Sequence, residues 1–288
     1  MSVTSSAAAS ATHAHPDRDG LPLTMARYAA EALIVAAAVI PLYLLIKQAI
    51  TPELQSFAWP PLWLPHSLTG AHFGAVFAVG ELRAAILRSI WVATACAMIA
   101  TALGAMLSYA MARSTAGRSA GFIAVTGARL LPMIAVAIPL AVALIAIGLY
   151  DSQWATGLVL VHAALALPTA ALTAYAGFLA IPREIEEAAW LDGASPMRIF
   201  LAIDVPQARG ALAAAFILSF ILSWDEFGFA LLLQVTNRTL PPLLYYYTVF
   251  GDVGPASALA LLMMVPAIGV VVALRPMLRG ALMTGGLR

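Results

Sequence analysis

Charge and cysteine are both scarce in this chain, and each scarcity removes a class of protein. Only 10% of its 288 residues are charged, against about 25% in a soluble domain, so the chain lacks the polar surface to sit in water. The single cysteine, Cys96, lies inside an apolar run, which leaves neither a disulfide framework nor a cysteine metal site. The five histidines (His13, His15, His66, His72 and His162) are scattered along the chain. With no clustered His/Asp constellation and no nucleophile motif, no metal site and no catalytic residue are expected. A glycine-rich phosphate loop of the Gly-x4-Gly-Lys-Ser/Thr type is absent as well.

What the chain has is hydrophobicity: 62% of its residues are hydrophobic and the mean hydropathy is +0.92. A membrane span needs about 20 mainly apolar residues. Six stretches qualify, at roughly 28–46, 86–112, 130–149, 155–180, 210–233 and 256–274, predicting an all-α polytopic protein with six transmembrane helices. Pro41, Pro132, Pro139, Pro168 and Pro266 fall inside these runs, where neighbouring helices can satisfy the carbonyls a proline frees. Small residues such as Ala102–Leu103–Gly104–Ala105 allow close helix approach. No internal repeat stands out. Residues 1–27, rich in Ala, Ser and Thr, read as a flexible cytoplasmic tail, and residues 28–288 as one transmembrane domain. A cleaved signal peptide fits the first run poorly, because Tyr28–Ile46 is already span-length and no small-residue cleavage site follows.

Basic residues orient the spans. With the N-terminus inside, the cytoplasmic side holds Arg18, Arg27, Arg113, Arg118, Arg129, Arg183, Arg198, Arg209, Arg275, Arg279 and Arg288, and the outside holds Lys47, Arg83, Arg88 and Arg238. Both termini are therefore expected in the cytoplasm. Trp59, Trp63, Trp154 and Tyr245–Tyr247 fall on the outer side, as an aromatic belt would. Arg83 and Arg88 are expected to snorkel to the outer surface, and Glu31 to pair with Arg27 one turn away.

The segment at 181–209 is unlike a mere connector. Pro182 suits a first helical position, and Glu184, Glu186 and Glu187 fall where a helix N-terminus favours carboxylates. Asp192–Gly193 breaks that helix. Ser195 caps a second helix opened by Pro196 and closed by Pro206. Ala188 and Ala189 leave one face narrow enough to dock into a groove.

Those residues resemble the EAA loop of binding-protein-dependent ABC importer permeases, whose pattern is Glu-Ala-Ala, three residues, Gly, nine residues, then Ile-x-Leu-Pro. Here stand Glu187–Ala188–Ala189, Gly193, Ile203 and Val205–Pro206 at those spacings, with Val205 for the leucine. The resemblance runs from about residue 26 to the end. It includes Tyr109–Arg113, Leu131–Pro132, Ile138–Pro139 and Ser223–Trp224–Asp225–Glu226–Phe227, which look like the carbohydrate-uptake (maltose-permease-like) branch. The end, Arg279–Gly280 with Gly285 and Arg288, is a loose match to that branch's tail. Asp225–Glu226–Phe227 followed by Thr239–Leu240–Pro241 also resembles polyamine permeases, which leaves the substrate class open between the two.

The resemblance implies a type I ABC importer permease fold in the bacterial inner membrane. It implies a partner ATPase docking on Glu186, Glu187, Ala188, Ala189, Asp192, Gly193, Ile203 and Pro206. The chain itself is expected to bind no cofactor, ATP and Mg being held by two ATPase subunits. A second permease subunit, in a heterodimer, and an extracytoplasmic binding protein are the other implied partners, beside membrane lipid and without nucleic acid. Asp225 and Glu226, about fifteen residues into the fifth span, are expected to line the path for a sugar or polyol, with Trp224 offering a stacking face. An ion-driven secondary transporter is the rival reading. His162, with no acid near it in sequence, is expected to fill a packing role.

Overall fold

The computed structural model describes residues 21–78, 80–130 and 132–285, and for residues 21–24, 115–117, 133, 134 and 278–285 the backbone alone. The described chain is helical throughout, with no strand. Its helices are α1 (Leu21–Ile50), α2 (Glu53–Ser56), α3 (Ala71–Ala78), α4 (Gly80–Arg113), α5 (Thr115–Ala128), α6 (Met133–Ala146), α7 (Thr156–Leu179), α8 (Arg183–Leu191) and α9 (Pro196–Ile199). A π-helical turn (Phe200–Asp204) leads into α10 (Val205–Gln207), and α11 (Arg209–Trp224), α12 (Gly228–Leu233), α13 (Leu240–Val249) and α14 (Val253–Gly285) complete the order. The chain divides into two compact units, residues 1–45 and 46–288.

The first unit is the greater part of α1. Its apolar side chains are exposed, Leu33 by 71% and Ile34 by 69%, and Arg27 Nε donates to Glu31 Oε1 at 2.9 Å, the expected i, i+4 pair. Residues 21–27, the described part of that expected tail, are helical. The rest of that tail, residues 1–20, lies outside the described residues, as do Leu131 and Arg288 of the motifs above.

The second unit is built on α4, α7 and α11, which pack against one another along their lengths. No hydrophobic force separates a helix face from lipid, so close van der Waals fit between small residues has to hold such helices together. Cys96, Ala100, Ala163, Ala166, Ala170 and Ala215 form the seam. Helices α4 and α7 approach closely at Gly104, where an added Cβ would lie 3.0 Å from the Ala170 Cβ. One turn on, the buried Ser108 hydroxyl faces two carbonyls, Gly104 at 2.5 Å on its own helix and Ala171 at 2.6 Å across the seam. Larger side chains fill the space beyond. Phe220, Trp224, Leu240 and Leu259 form one cluster, and Leu158, Phe229 and Leu233 another.

All six apolar stretches are helical, but they are not six uniform spans. Among the described residues, four helices are long and apolar enough to cross a membrane: Met25–Ile50, Gly80–Arg113, Thr156–Leu179 and Val253–Met277. The third stretch yields only the 14 residues of α6, opened after Pro132 and followed by Gly148 at φ +72°. The fifth is broken after Trp224 and resumes at Gly228. At its start it bends by 78° from the helical run Pro196–Gln207, which outlasts Pro206 by one residue.

Candidate functional site

The 181–209 loop is a helical projection fastened to the end of α4. Pro182 sits at the N-cap of α8, one place earlier than a first helical position. Glu184 and Glu186 occupy the first turn, against the positive end of the helix. The helix ends in a Schellman motif: Gly193 N donates to Trp190 O at 2.9 Å and Ala194 N to Ala189 O at 3.0 Å. That geometry puts Gly193 at φ +80°, a region glycine enters without strain. Ser195 then caps α9, its hydroxyl accepting from Arg198 N at 3.4 Å.

The loop's acids divide between inside and outside. Glu186 is buried and paired with Arg113, whose Nε donates to Oε1 at 2.5 Å and whose Nη2 bonds the same oxygen. The Arg113 guanidinium lies 5.7 Å from the Tyr109 ring, which packs on Phe178 and on Phe200 of the π turn. Glu186 thus tethers α8 to the end of α4. Glu187, Ala188, Asp192, Gly193 and Pro206 are exposed, while Ala189 and Ile203 are half-buried. Trp190 (55% exposed), Leu191 (91%) and Met197 stand out beside them. Apolar residues inside an acidic loop were the signal for that tip, and the motif pattern passed over them.

Asp204 lies fully buried in the π turn beside Glu186 and Arg113, with neither carboxylate oxygen bonded among the described residues. Burial pushes its carboxyl up to about 6, Glu186 adds to the rise, and Arg113 opposes it. The folded loop therefore holds this proton more tightly than the unfolded chain, whose carboxyl titrates at the ordinary 3.8. The stability so contributed is present in full below about pH 4, declines through the interval up to about pH 6, and is absent above it. Asp204→Asn is accordingly expected to stabilise the protein at pH 7.5, with most of that gain gone by pH 4.5. Thermal unfolding in detergent at the two pH values measures it; an equal gain at both would contradict the assignment.

A second constellation forms where α11 breaks. Residues 225–227 leave the helix, and Glu226 caps its continuation: Oε1 accepts from Phe229 N at 2.8 Å and Oε2 from Ala230 N at 3.0 Å. His162 on α7, 1% exposed, puts Nε2 at 3.0 Å from the same Oε2 and Nδ1 at 2.8 Å from Ser223 Oγ. A neutral imidazole satisfies both bonds, with Nε2–H donating to the carboxylate and Nδ1 accepting from the hydroxyl. The acidic neighbour His162 lacks in sequence is supplied by the fold. Trp224 is 2% exposed, stacked on Phe220, with Nε1 donating to Met263 O at 2.9 Å. Its indole is a wall of the core in this chain. Of the three residues 224–226, Asp225 alone is exposed.

In the half of α4 away from the loop, Arg88 is held by two connecting segments. Its Nη1 donates to Arg238 O at 2.7 Å, Nη2 to Asn237 Oδ1 at 3.2 Å and Nε to Gln153 O at 3.1 Å. Asp151 closes the knot by accepting from Thr236 N and Asn237 N at 3.0 Å each. Burial pushes the Asp151 carboxyl up, but the bonds from Asn237 and Thr236 outweigh it and hold it below the ordinary carboxylate range. Among the described residues, no three His, Cys, Asp or Glu side chains are grouped so as to hold a metal ion.

The chain belongs to the family of binding-protein-dependent transport system inner membrane components, whose pattern matches residues 100–278. It is 33% identical over 214 residues to the trehalose transport system permease protein SugB of Mycobacterium tuberculosis, covering 73% of this chain and 76% of that one. It is 27% identical over 274 residues to the sulfoquinovosyl glycerol transport system permease protein SmoH of Agrobacterium fabrum, covering 93% and 94%. Its fold is similar to that of a chain of a bacterial ABC transporter involved in the import of the acidic polysaccharide alginate, with a TM-score of 0.73 at 17% identity over 91% of this chain and 98% of that one. This is a multi-pass inner-membrane permease subunit, and the fold and family expected from the loop's spacing hold.

Proposed function

We propose that this chain forms half of the translocation path of an ATP-driven importer that takes a sugar or polyol from an extracytoplasmic binding protein. The observation that carries this reading is the 181–209 loop: a helical, acidic projection with an exposed apolar tip at Trp190, Leu191 and Met197, locked to α4 by Glu186–Arg113. Glu187 and Asp192 flank that tip and suit a cleft with basic walls on an ATPase subunit. Two such subunits, holding ATP and Mg, and a second permease complete the assembly. Glu186 and Ile203 act from inside the loop by keeping its shape. Six membrane crossings, with both termini and the loop in the cytoplasm, follow the basic asymmetry of the sequence.

A carbohydrate is favoured because relatives of comparable length carry trehalose and sulfoquinovosyl glycerol. A polycation is not, since Glu226 is already engaged by His162 and two amides, leaving Asp225 as the free acid at the break. The test is co-purification in mild detergent followed by uptake into vesicles of radiolabelled trehalose, diacetylchitobiose and spermidine. Recovery of an ATPase and a second permease, with ATP-dependent uptake of a sugar, supports the reading. Recovery of a lone homodimer, or uptake of spermidine alone, overturns it. Cysteines at Ser195 and Ser67 in a Cys96→Ala background are expected to label from opposite sides of the membrane, and labelling of both from outside would contradict the topology.

A further inference from the structure

The two carboxylates at the break of α11 are neighbours in sequence with opposite fates. Glu226 is turned inward and fully used, by His162 and by the first amides of α12. Asp225 closes α11 through its backbone, its amide donating to Ile221 O at 3.0 Å, while its side chain is exposed and has no hydrogen-bond partner among the described residues. An ionised group within an apolar protein of the membrane faces a watery passage, a partner or a ligand, because facing lipid costs several kcal/mol. Irregular backbone at membrane depth is likewise tolerated where it lines a cavity.

The same break delivers aromatic surface. Phe227, 36% exposed, meets Tyr245 of α13, 50% exposed, with ring centroids 5.2 Å apart and planes inclined at 58°. Two half-open rings set at an angle form a corner rather than a flat belt. A sugar ring presents an apolar C–H face, which suits such a corner, and an edge of hydroxyl donors, which suits a carboxylate acting only as acceptor. A single free acid beside two rings matches a neutral polyhydroxyl compound.

We propose that Asp225, Phe227 and Tyr245 form a carbohydrate-binding station on this chain, Asp225 accepting hydroxyl hydrogen bonds and the two rings holding one sugar face. The Glu226–His162–Ser223 clamp is its positioning device, since pinning Glu226 inward turns Asp225 outward. The proposal rests on the carbohydrate reading given above and places a solute contact on this subunit itself.

The assembled transporter in vesicles decides it, with the sugar that the unaltered complex takes up best as probe. Phe227→Leu, Tyr245→Leu and Asp225→Ala are each expected to lower the sugar imported per ATP hydrolysed by about tenfold, the scale of one lost ring contact or one lost hydrogen bond. Tyr245→Phe and Asp225→Asn are expected to retain most of that ratio. A thiol reagent is expected to modify Tyr245→Cys in a Cys96→Ala background, and saturating sugar to protect it. The station is overturned if the ratio stays unchanged in the leucine and alanine variants. It is equally overturned if sugar gives no protection, or if the variants fail to assemble with the second permease, which would make the aromatic corner a subunit contact. Absence of sugar uptake by the unaltered complex would instead refute the carbohydrate reading, and the station with it.

Discussion

Glu226→Ala is expected to abolish transport and to lower the unfolding temperature of the detergent-solubilised protein by roughly 10 °C. The carboxylate serves three donors at once: Phe229 N, Ala230 N and the imidazole of His162. Alanine leaves all three without an acceptor in a site that water reaches poorly. Leaving a buried donor without its charged acceptor costs about 1–3 kcal/mol, and three such donors together amount to a large part of a protein's net stability. The damage is also local in a way that matters, because α12 has only six residues and depends on its cap to begin. Glu226→Gln keeps one acceptor and is expected to fall between the two. Asp225→Ala, one residue away, is expected to leave the unfolding temperature within about 1 °C, as an exposed side chain without partners would. Equal loss of stability in Glu226→Ala and Asp225→Ala would show that the two acids are not divided as described.

Gly193→Val is expected to give the second largest effect, on coupling rather than on folding. No atom outside the adjoining residues lies within 4 Å of where a Cβ would stand, so the objection is not space. It is the backbone: φ is +80°, and a β-branched residue there is a genuine outlier that costs on the order of 1–3 kcal/mol. The cheapest relief is to abandon the Schellman turn, which redirects Trp190, Leu191 and the start of α9. A graded series separates this from steric blocking of a partner. Asn tolerates the left-handed region best among the alternatives, so ATP-dependent uptake in vesicles is expected to be nearly retained in Gly193→Asn, reduced in Gly193→Ala and lost in Gly193→Val. Asparagine as damaging as valine would mean that the partner's surface, and not the turn, excludes a side chain.

The outline of this protein was legible in its sequence where the determining interactions are local. Long apolar runs can only be helices in a membrane, and Ser195–Pro196 and Asp192–Gly193 mark a cap and a turn through bonds that reach no further than five residues. The motif spacing that follows from those turns located the loop. What the sequence did not disclose are the pairings made by topology. Glu186 meets Arg113 across 73 positions and His162 meets Glu226 across 64. Nothing in either neighbourhood distinguishes a buried tether from a surface acid. That is why Glu186 and Glu187 looked alike, and why Trp224, Asp225 and Glu226 read as one constellation when the fold assigns them a core wall, an open carboxylate and a helix cap. The break in α11 is hidden for the same reason, since its stability depends on a histidine from another helix.

The seam of alanines along α4 and α7 has a mechanical meaning. Helix α4 runs for 34 residues, and its stretch from the Arg88 knot to the Arg113 tether spans about 38 Å at 1.5 Å per residue. Flexible side chains between two helices act as a cushion, and a contact of methyl groups, a glycine and one shared hydroxyl has almost nothing to compress. The Arg113 tether and the Arg88 knot are therefore joined through one closely packed helix, as by a connecting rod.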